Sequence, residues 1–151
     1  TKAVRNPIPN SMPLFVRVSA TEYMDNGWDV DECVEFSRWL KDEGVDLIDC
    51  SSGGNSATQT LTPFPGYQVQ FSARIRSEAE VTTGAVGLIT EAAQAEKILE
   101  DGEADVILLA RELLRNPYWP IHSQTELDGE AAWPSPYKRV AELRNYPAPP
   151  R

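Results

Sequence analysis

The strongest constraint on the fold is an alternation of strand and helix patterns that recurs four times along the 151 residues. The predicted strands cover residues 13–19, 45–50, 83–88 and 106–109, and the predicted helices cover residues 31–43, 67–78, 91–100 and 118–127. Such alternation predicts parallel strands joined by right-handed crossovers. Four units of this kind could form a small doubly wound sheet or half of an eight-unit barrel. In both folds, the loops that follow the strands carry the chemistry.

The fourth unit begins with a continuous apolar run, residues 106–109, which stops at Ala110 and Arg111. An apolar run without alternation is typical of a parallel strand that is buried on both faces. Ala110 and Arg111 would then lie just past the carboxyl end of a buried strand. Backbone N–H groups and a guanidinium at such a place can bind a phosphate. Arg111 could equally form a surface ion pair, and the sequence leaves both interpretations open.

Three other residues stand at or near strand ends: Arg17, Ser51 and Gly87. Arg17 lies among apolar neighbours, so it needs an anionic or electron-rich ligand, or a carboxylate such as Asp49. Gly87, with Gly84, permits a close backbone approach or a positive φ angle. In a (β/α)8 barrel the loops after the last two strands commonly build a phosphate site. Ser51 opens a loop rich in serine and glycine that could bind a ligand or could simply be flexible.

The charge of the chain narrows the classes of partner. A formal net charge of -9 argues against a nucleic-acid groove and against binding to an anionic membrane. No apolar run approaches the roughly 20 residues that span a bilayer. Cys33 and Cys50 show no metal-type spacing, which favours a reduced, cytoplasmic setting. The single histidine, His122, argues against a histidine metal site or a Ser–His–Asp triad, and we interpret it as a surface or packing residue.

The two termini differ in character from the repeating units. The first ten residues are polar and show no secretory signal, and they resemble the end of a helix, so we expect the chain to begin within a domain. Residues 128–151 are rich in proline, alanine and charged residues. We expect them to form an extended or partly helical arm, with one possible helical segment over residues 137–144.

Five segments together resemble the old yellow enzyme family: PLFVRVSATEY, GVDLIDCSSGG, PGYQV, TTGAVGLIT and DVILLARELLRNPYW. They occur in order over nearly the whole chain, and the likeness is closest to the bacterial YqjM-like NADPH dehydrogenase branch of ene-reductases. That family folds as an FMN-binding (β/α)8 TIM barrel. The resemblance therefore implies that residues 1–127 form strands five to eight of such a barrel, followed by a Pro-rich arm over residues 128–151.

The resemblance also implies roles for particular residues. Arg17 would contact the flavin ring near N1 and O2 and stabilise negative charge on the reduced flavin. Gly87, Ala110 and Arg111 would hold the FMN phosphate, with Ala110 standing where relatives often have glycine. Arg139, in the sequence Tyr-Lys-Arg, resembles an arginine finger that reaches the active site of a neighbouring subunit.

The implied activity is that of an ene-reductase, which uses NADPH and FMN to reduce the activated C=C bond of an α,β-unsaturated carbonyl compound. The substrate-binding histidine pair, the proton-donating tyrosine and the first flavin-contacting strands of the family have no counterpart in this sequence. We therefore expect the chain to need a missing N-terminal half-barrel, a second copy of itself or a separate partner subunit. Two alternatives stay open: another FMN barrel, such as a dihydroorotate dehydrogenase-like or dihydrouridine synthase-like enzyme, and a non-catalytic fragment or interaction subunit.

Overall fold

The computed structural model of the chain describes residues 1–138. Four strands alternate with helices in the order that the sequence predicts, and a short helix precedes the first strand. The strands are β1 (Phe15–Ser19), β2 (Leu47–Ser51), β3 (Thr83–Ala85) and β4 (Val106–Ile107), and the helices are α1 (Lys2–Arg5), α2 (Val30–Asp42), α3 (Val69–Ala79), α4 (Ala92–Glu100), α5 (Arg111–Arg115) and α6 (Trp119–Asp128). No helix in this part of the chain is long and apolar enough to cross a membrane.

The four strands form one parallel sheet in the order β1-β2-β3-β4. The register places Arg17 opposite Asp49, Asp49 opposite Gly84, and Gly84 opposite Val106. These four residues form one row across the sheet and share one face, because side chains of parallel strands alternate between faces. All four strands therefore end at the same edge, and their following loops meet there.

The other face of the sheet is covered by helices and contains the core. One apolar cluster joins β1 and β2 to α2 and α3, and it includes Ile48 and Ile75, which are fully buried. A second cluster joins β3 and the end of β4 to α4 and Trp119 of α6. The helix α2 begins with a capping box, in which Asp29 accepts from the backbone N–H of Glu32 at 3.0 Å. Such a cap fixes where the helix starts and so orients it on the sheet.

The face of the sheet that carries Arg17, Asp49, Gly84 and Val106 is open to solvent. Phe15, two residues before Arg17 on the same face, has an exposed fraction of 55 %, and Val106 is also exposed. The strands β1 and β4 are the two edges of the sheet. An exposed apolar sheet face between two unpaired edges is a surface on which further chain packs in stable proteins.

The structure corrects three details of the predicted packing. The run over residues 106–109 forms a strand of only two residues, at an edge, and it is not buried on both faces. The helical spacing of residues 31–43 predicts Val34, Trp39 and Leu40 on or near one inward face, but Trp39 is 61 % exposed. The structure instead turns Cys33, Ser37 and Leu40 inward along with Val34. The pattern of residues 91–100 predicts Ala95, Ile98 and Leu99 on the inward face, but Leu99 is 38 % exposed, because the buried positions of α4 are Ala92, Ala95 and Ile98.

Candidate cofactor-binding site

A cavity of about 330 Å³ opens where β3 and β4 end. Four of the six residues predicted for the site line it: Ser51, Gly87, Ala110 and Arg111. They come together because parallel strands present their carboxyl ends, and the loops after them, at one edge of the sheet. The loop after β3, the start of α5 and the residues just before α3 all line the cavity.

The loop after β3 follows an unusual backbone path. Gly87 has φ +123°, and a Cβ at this position would lie 2.8 Å from Gln68 Nε2 and 3.1 Å from the Tyr67 ring. Leu88 follows with φ +53°, a left-handed conformation that is rare for a bulky residue. Within residues 1–138, the backbone N–H groups of Gly87 and Leu88 donate to no other group of the chain. The loop thus combines backbone strain with free donors beside a cavity, a pattern found at ligand sites.

Ala110 and Arg111 form another part of the cavity wall. Ala110 precedes the first residue of α5, and its small side chain leaves the backbone accessible. The Arg111 side chain is exposed and forms no ion pair among residues 1–138, so the surface ion pair considered above is not found there. Its guanidinium is therefore available to an anion in the cavity.

A buried carboxylate in the same wall is already neutralised. Glu112 is buried, and its Oε2 accepts from Arg115 Nε at 2.9 Å and from Arg115 Nη2 at 2.6 Å. Burial of an unpaired carboxylate would be unfavourable, and these two charge-assisted hydrogen bonds to Oε2 offset the cost. With Glu112 and Arg115 paired, Arg111 provides the net positive charge of the cavity lining.

Arg17 lies apart from this cavity. Its Nε donates to Asp49 Oδ2 at 2.7 Å across the neighbouring strands, so the carboxylate considered from the sequence is its partner in the structure. The Arg17 side chain is nevertheless largely exposed, and in the part of the chain that is described its two Nη groups have no acceptor. Asp49 Oδ1 is buried without a hydrogen-bond partner. Arg139, the predicted arginine finger, lies outside the described residues.

Sequence reasoning missed one buried group in the cavity wall, the side chain of Gln68. Its Oε1 accepts from Ser52 Oγ at 2.7 Å, and its Nε2 donates to the backbone oxygen of Val86 at 3.0 Å. Ser52 also contacts the Tyr23 hydroxyl at 2.7 Å, and burial raises the pKa of Tyr23 above its ordinary value. Ser51 Oγ also approaches Gln68 Oε1, at 3.5 Å. No local pattern marks Gln68, because its partners lie 16 to 18 residues away in sequence.

The relationship to known proteins agrees with this geometry. A family model described as "NADH:flavin oxidoreductase / NADH oxidase family" matches residues 1–130. The chain belongs to this family. It is 53 % identical over 128 residues to an NADPH dehydrogenase of Bacillus licheniformis and 50 % identical to an NADPH dehydrogenase of Halalkalibacterium halodurans. In both cases the match covers 85 % of this chain and 38 % of the relative.

The fold is also similar to a solved structure. A 2-naphthoyl-CoA reductase, in complex with 2-naphthoyl-CoA, superposes with a TM-score of 0.71 at 19 % identity, over 85 % of this chain and 20 % of that chain. Family membership and this likeness confirm the predicted fold class, a parallel α/β fold of the TIM-barrel type. The chain spans well under half the length of the curated relatives it matches.

Proposed function

We propose that this chain is the C-terminal half of an FMN-dependent NAD(P)H oxidoreductase of the ene-reductase type, and that it supplies the site for the FMN phosphate. The observation that carries the proposal is the convergence of Gly87, Ala110 and Arg111 on one cavity at the carboxyl edge of the sheet. The family description and the NADPH dehydrogenases among the relatives support the same conclusion.

The residues of the cavity fit a phosphate monoester. The backbone N–H groups of Gly87 and Leu88 are unused within residues 1–138, and no side chain at position 87 obstructs an approach to them. Among residues 1–138, the acidic side chain that lines the cavity is Glu112, and Arg115 already pairs with it, so the Arg111 guanidinium has no competing carboxylate there. Backbone donors and a planar guanidinium together are the donor set that proteins use for phosphate oxygens. Ser51 adds a hydroxyl at the rim.

The remainder of the proposed site lies on the open sheet face. FMN, when bound, supplies hydride transfer between NADPH and the activated C=C bond of a small enone substrate. Asp49 holds the Arg17 guanidinium by its Nε, and the two free Nη groups leave positive charge on that face. We infer that Arg17 uses this charge to stabilise the reduced flavin ring. Because Cys33 and Cys50 are both free and buried, we also infer a reducing, cytoplasmic setting.

The direct test is FMN binding to the purified chain, measured by visible absorption after desalting. We expect retained flavin with shifted bands, and we expect Arg111→Ala to weaken binding by about tenfold or more, since a charge-assisted contact is worth about 1.5–3 kcal/mol. Arg38→Ala is the matched control, because Arg38 is a half-exposed arginine on α2, away from the cavity. Equal binding by wild type and Arg111→Ala would contradict the proposed phosphate site.

A second candidate function is favoured by the open sheet face and by the partial coverage of the relatives: the chain alone is a non-catalytic subunit that needs a complementary half. NADPH oxidation by an enone should be measured for the chain alone and for the chain mixed with the remaining part of the Bacillus licheniformis relative. Turnover only in the mixture supports this candidate for the isolated chain. Arg139→Ala in the active mixture then tests the proposed arginine finger.

A further inference from the structure

The side chain of Gln68 lines the cavity and also contacts the loops around it. It immediately precedes α3, where a polar side chain commonly caps the helix, but its side chain makes no capping hydrogen bond. Its exposed fraction is only 2 %, and it lines the cavity beside Gly87. A buried amide is costly unless both of its ends are satisfied, and here both ends are used to bridge loops.

The orientation of this amide follows from its partners. A backbone oxygen can only accept, so the group that contacts Val86 must be the donor, Nε2. Oε1 therefore faces Ser52, whose hydroxyl proton is donated to it. The Tyr23 hydroxyl must then donate to Ser52 Oγ. The result is a directed chain of hydrogen bonds from the loop after β1, through the loop after β2, to the loop after β3.

The same segment fixes the loop after β3 at a second point. Gly66 N–H donates to the backbone oxygen of Gly87 at 2.9 Å, and Gln68 Nε2 lies only 2.8 Å from where a Cβ of Gly87 would be. Two consecutive carbonyl groups, those of Val86 and Gly87, are thus bound by residues 66–68. With these carbonyls held on one side, the N–H groups of Gly87 and Leu88 stay free of the chain.

We propose that Gln68 is a positioning residue for the phosphate loop: by binding the Val86 carbonyl, it holds the Gly87 and Leu88 N–H groups available to the phosphate of the cofactor. This inference rests on the proposed function, because it assigns the loop to a phosphate. It predicts that Gln68 affects recognition of the phosphate but not recognition of the flavin ring.

The test compares FMN with riboflavin, which lacks the phosphate, for wild type and for Gln68→Leu. We expect Gln68→Leu to weaken FMN binding about tenfold and riboflavin binding less than about twofold. Gln70→Leu is the matched control, because Gln70 is an exposed glutamine on the same helix, and it should change neither affinity. Equal loss of both ligands, or loss of neither, would overturn the inference.

A second variant covers the case in which Gln68→Leu fails to fold. Gln68→Glu keeps the size of the side chain and the contact with Ser52, but it cannot donate to Val86 when ionised, and it adds a negative charge near the phosphate. We expect a selective loss of FMN binding at least as large as that of Gln68→Leu. Binding of FMN at wild-type affinity by Gln68→Glu would also overturn the inference.

Hydrogen exchange separates failure of this inference from failure of the proposed function. Exchange of the Gly66 amide, which donates to Gly87, should accelerate in the Gln68 variants, while exchange of the Val45 amide, at the opposite end of the sheet, should not. Unchanged Gly66 exchange would refute the positioning role. Accelerated exchange in the variants, with equal affinity of the wild type for FMN and riboflavin, would instead refute the phosphate site itself.

Discussion

At the scale of the residue, Gly87 has the most restricted backbone environment in the candidate site. Any other residue would have to adopt φ near +123° and would place its Cβ 2.8 Å from Gln68 Nε2. Two separate costs are therefore combined at one position, the conformational strain and the steric conflict. Gly54 offers a contrast, because its φ is +86° but a Cβ there would meet nothing within 4 Å.

We predict that Gly87→Ala lowers the free energy of unfolding by about 2–4 kcal/mol, because it adds overpacking to backbone strain. Gly54→Ala, the matched control, should lower it by about 1 kcal/mol, through the backbone alone. Urea denaturation followed by circular dichroism measures both. Equal losses for the two variants would show that the close approach of Gln68 contributes nothing.

The two buried cysteines should make the folding stability of the protein depend on pH in the alkaline range. Burial raises the pKa of the Cys33 thiol above its ordinary value of 9.0, and it raises the pKa of the Cys50 thiol strongly, with Cys33 and Asp49 adding to the effect. The unfolded chain therefore ionises its thiols first. Their contribution to stability is complete below about pH 9 and falls as the pH rises above that value.

We accordingly predict a loss of up to about 1.4 kcal/mol per pH unit for each ionising thiol above pH 9. Urea midpoints measured from pH 7 to pH 10.5 should fall more steeply for the wild type than for a Cys33→Ala, Cys50→Ala double variant. Comparing the slopes of urea midpoint against pH removes the effect of the substitutions on absolute stability. It also removes the contribution of the tyrosines, because both proteins contain them. Parallel slopes would rule out the thiols as the cause.

Sequence reasoning located some of these residues and missed others for one physical reason. Gly87, Ala110 and Arg111 were predictable, because each lies a few residues after a strand and parallel strands end at the same edge. Gln68 was not, since its role depends on Ser52 and Val86, which only the fold brings to it. Leu88 was missed because nothing in a leucine indicates a positive φ angle.

At the scale of the element, the order and type of the helices and strands followed from the alternating pattern, whereas their burial did not. The run over residues 106–109 is apolar enough for a buried strand, but β4 stands at an edge of the sheet, so its neighbour on one side is absent from the described residues. Trp39 and Trp119 show the same limit. Both are tryptophans, so residue type alone predicts the same burial for each. Yet Trp39 is largely exposed, whereas Trp119 packs against the second core cluster.

Trp119 joins α6 to the rim of the candidate site. Its Nε1 donates to the backbone oxygen of Thr90 at 2.6 Å, in the loop that follows β3. We predict that Trp119→Phe lowers the free energy of unfolding by about 1–2 kcal/mol, through the lost hydrogen bond and reduced packing. Trp39→Phe, the same substitution at an exposed site, should change it by less than about 0.5 kcal/mol. Similar values for both variants would mean that α6 is held by other contacts.

At the scale of the whole molecule, the sheet has two chemically different faces. One is covered by helices and holds both core clusters, while the other exposes Phe15, Arg17 and Val106 between strand edges that pair with no further strand of residues 1–138. The family to which the chain belongs supplies a reason, since the relatives are more than twice as long as the matched region. We infer that further barrel strands, from a missing half or from another copy, cover this face in the active protein.

This inference predicts that the isolated chain self-associates through its open face. Sedimentation at several protein concentrations should show species heavier than the 16.8 kDa monomer, because unpaired edges and exposed apolar surface favour association. Phe15→Glu combined with Val106→Lys should shift the chain to the monomer. Leu114→Glu is the control, since Leu114 is 84 % exposed on α5 rather than on the sheet.

Addition of the remaining part of the Bacillus licheniformis relative should compete with this self-association, because both would bury the same face. The added half should bind Leu114→Glu as it binds the wild type, but it should not bind the monomeric Phe15→Glu, Val106→Lys variant. The chain could instead stay monomeric at all concentrations and fail to bind the added half. That result would show that the open sheet face is stable in water. In that case the row of Arg17, Asp49, Gly84 and Val106 would remain exposed to solvent in the native protein. The flavin ring would then have to bind there without further strands.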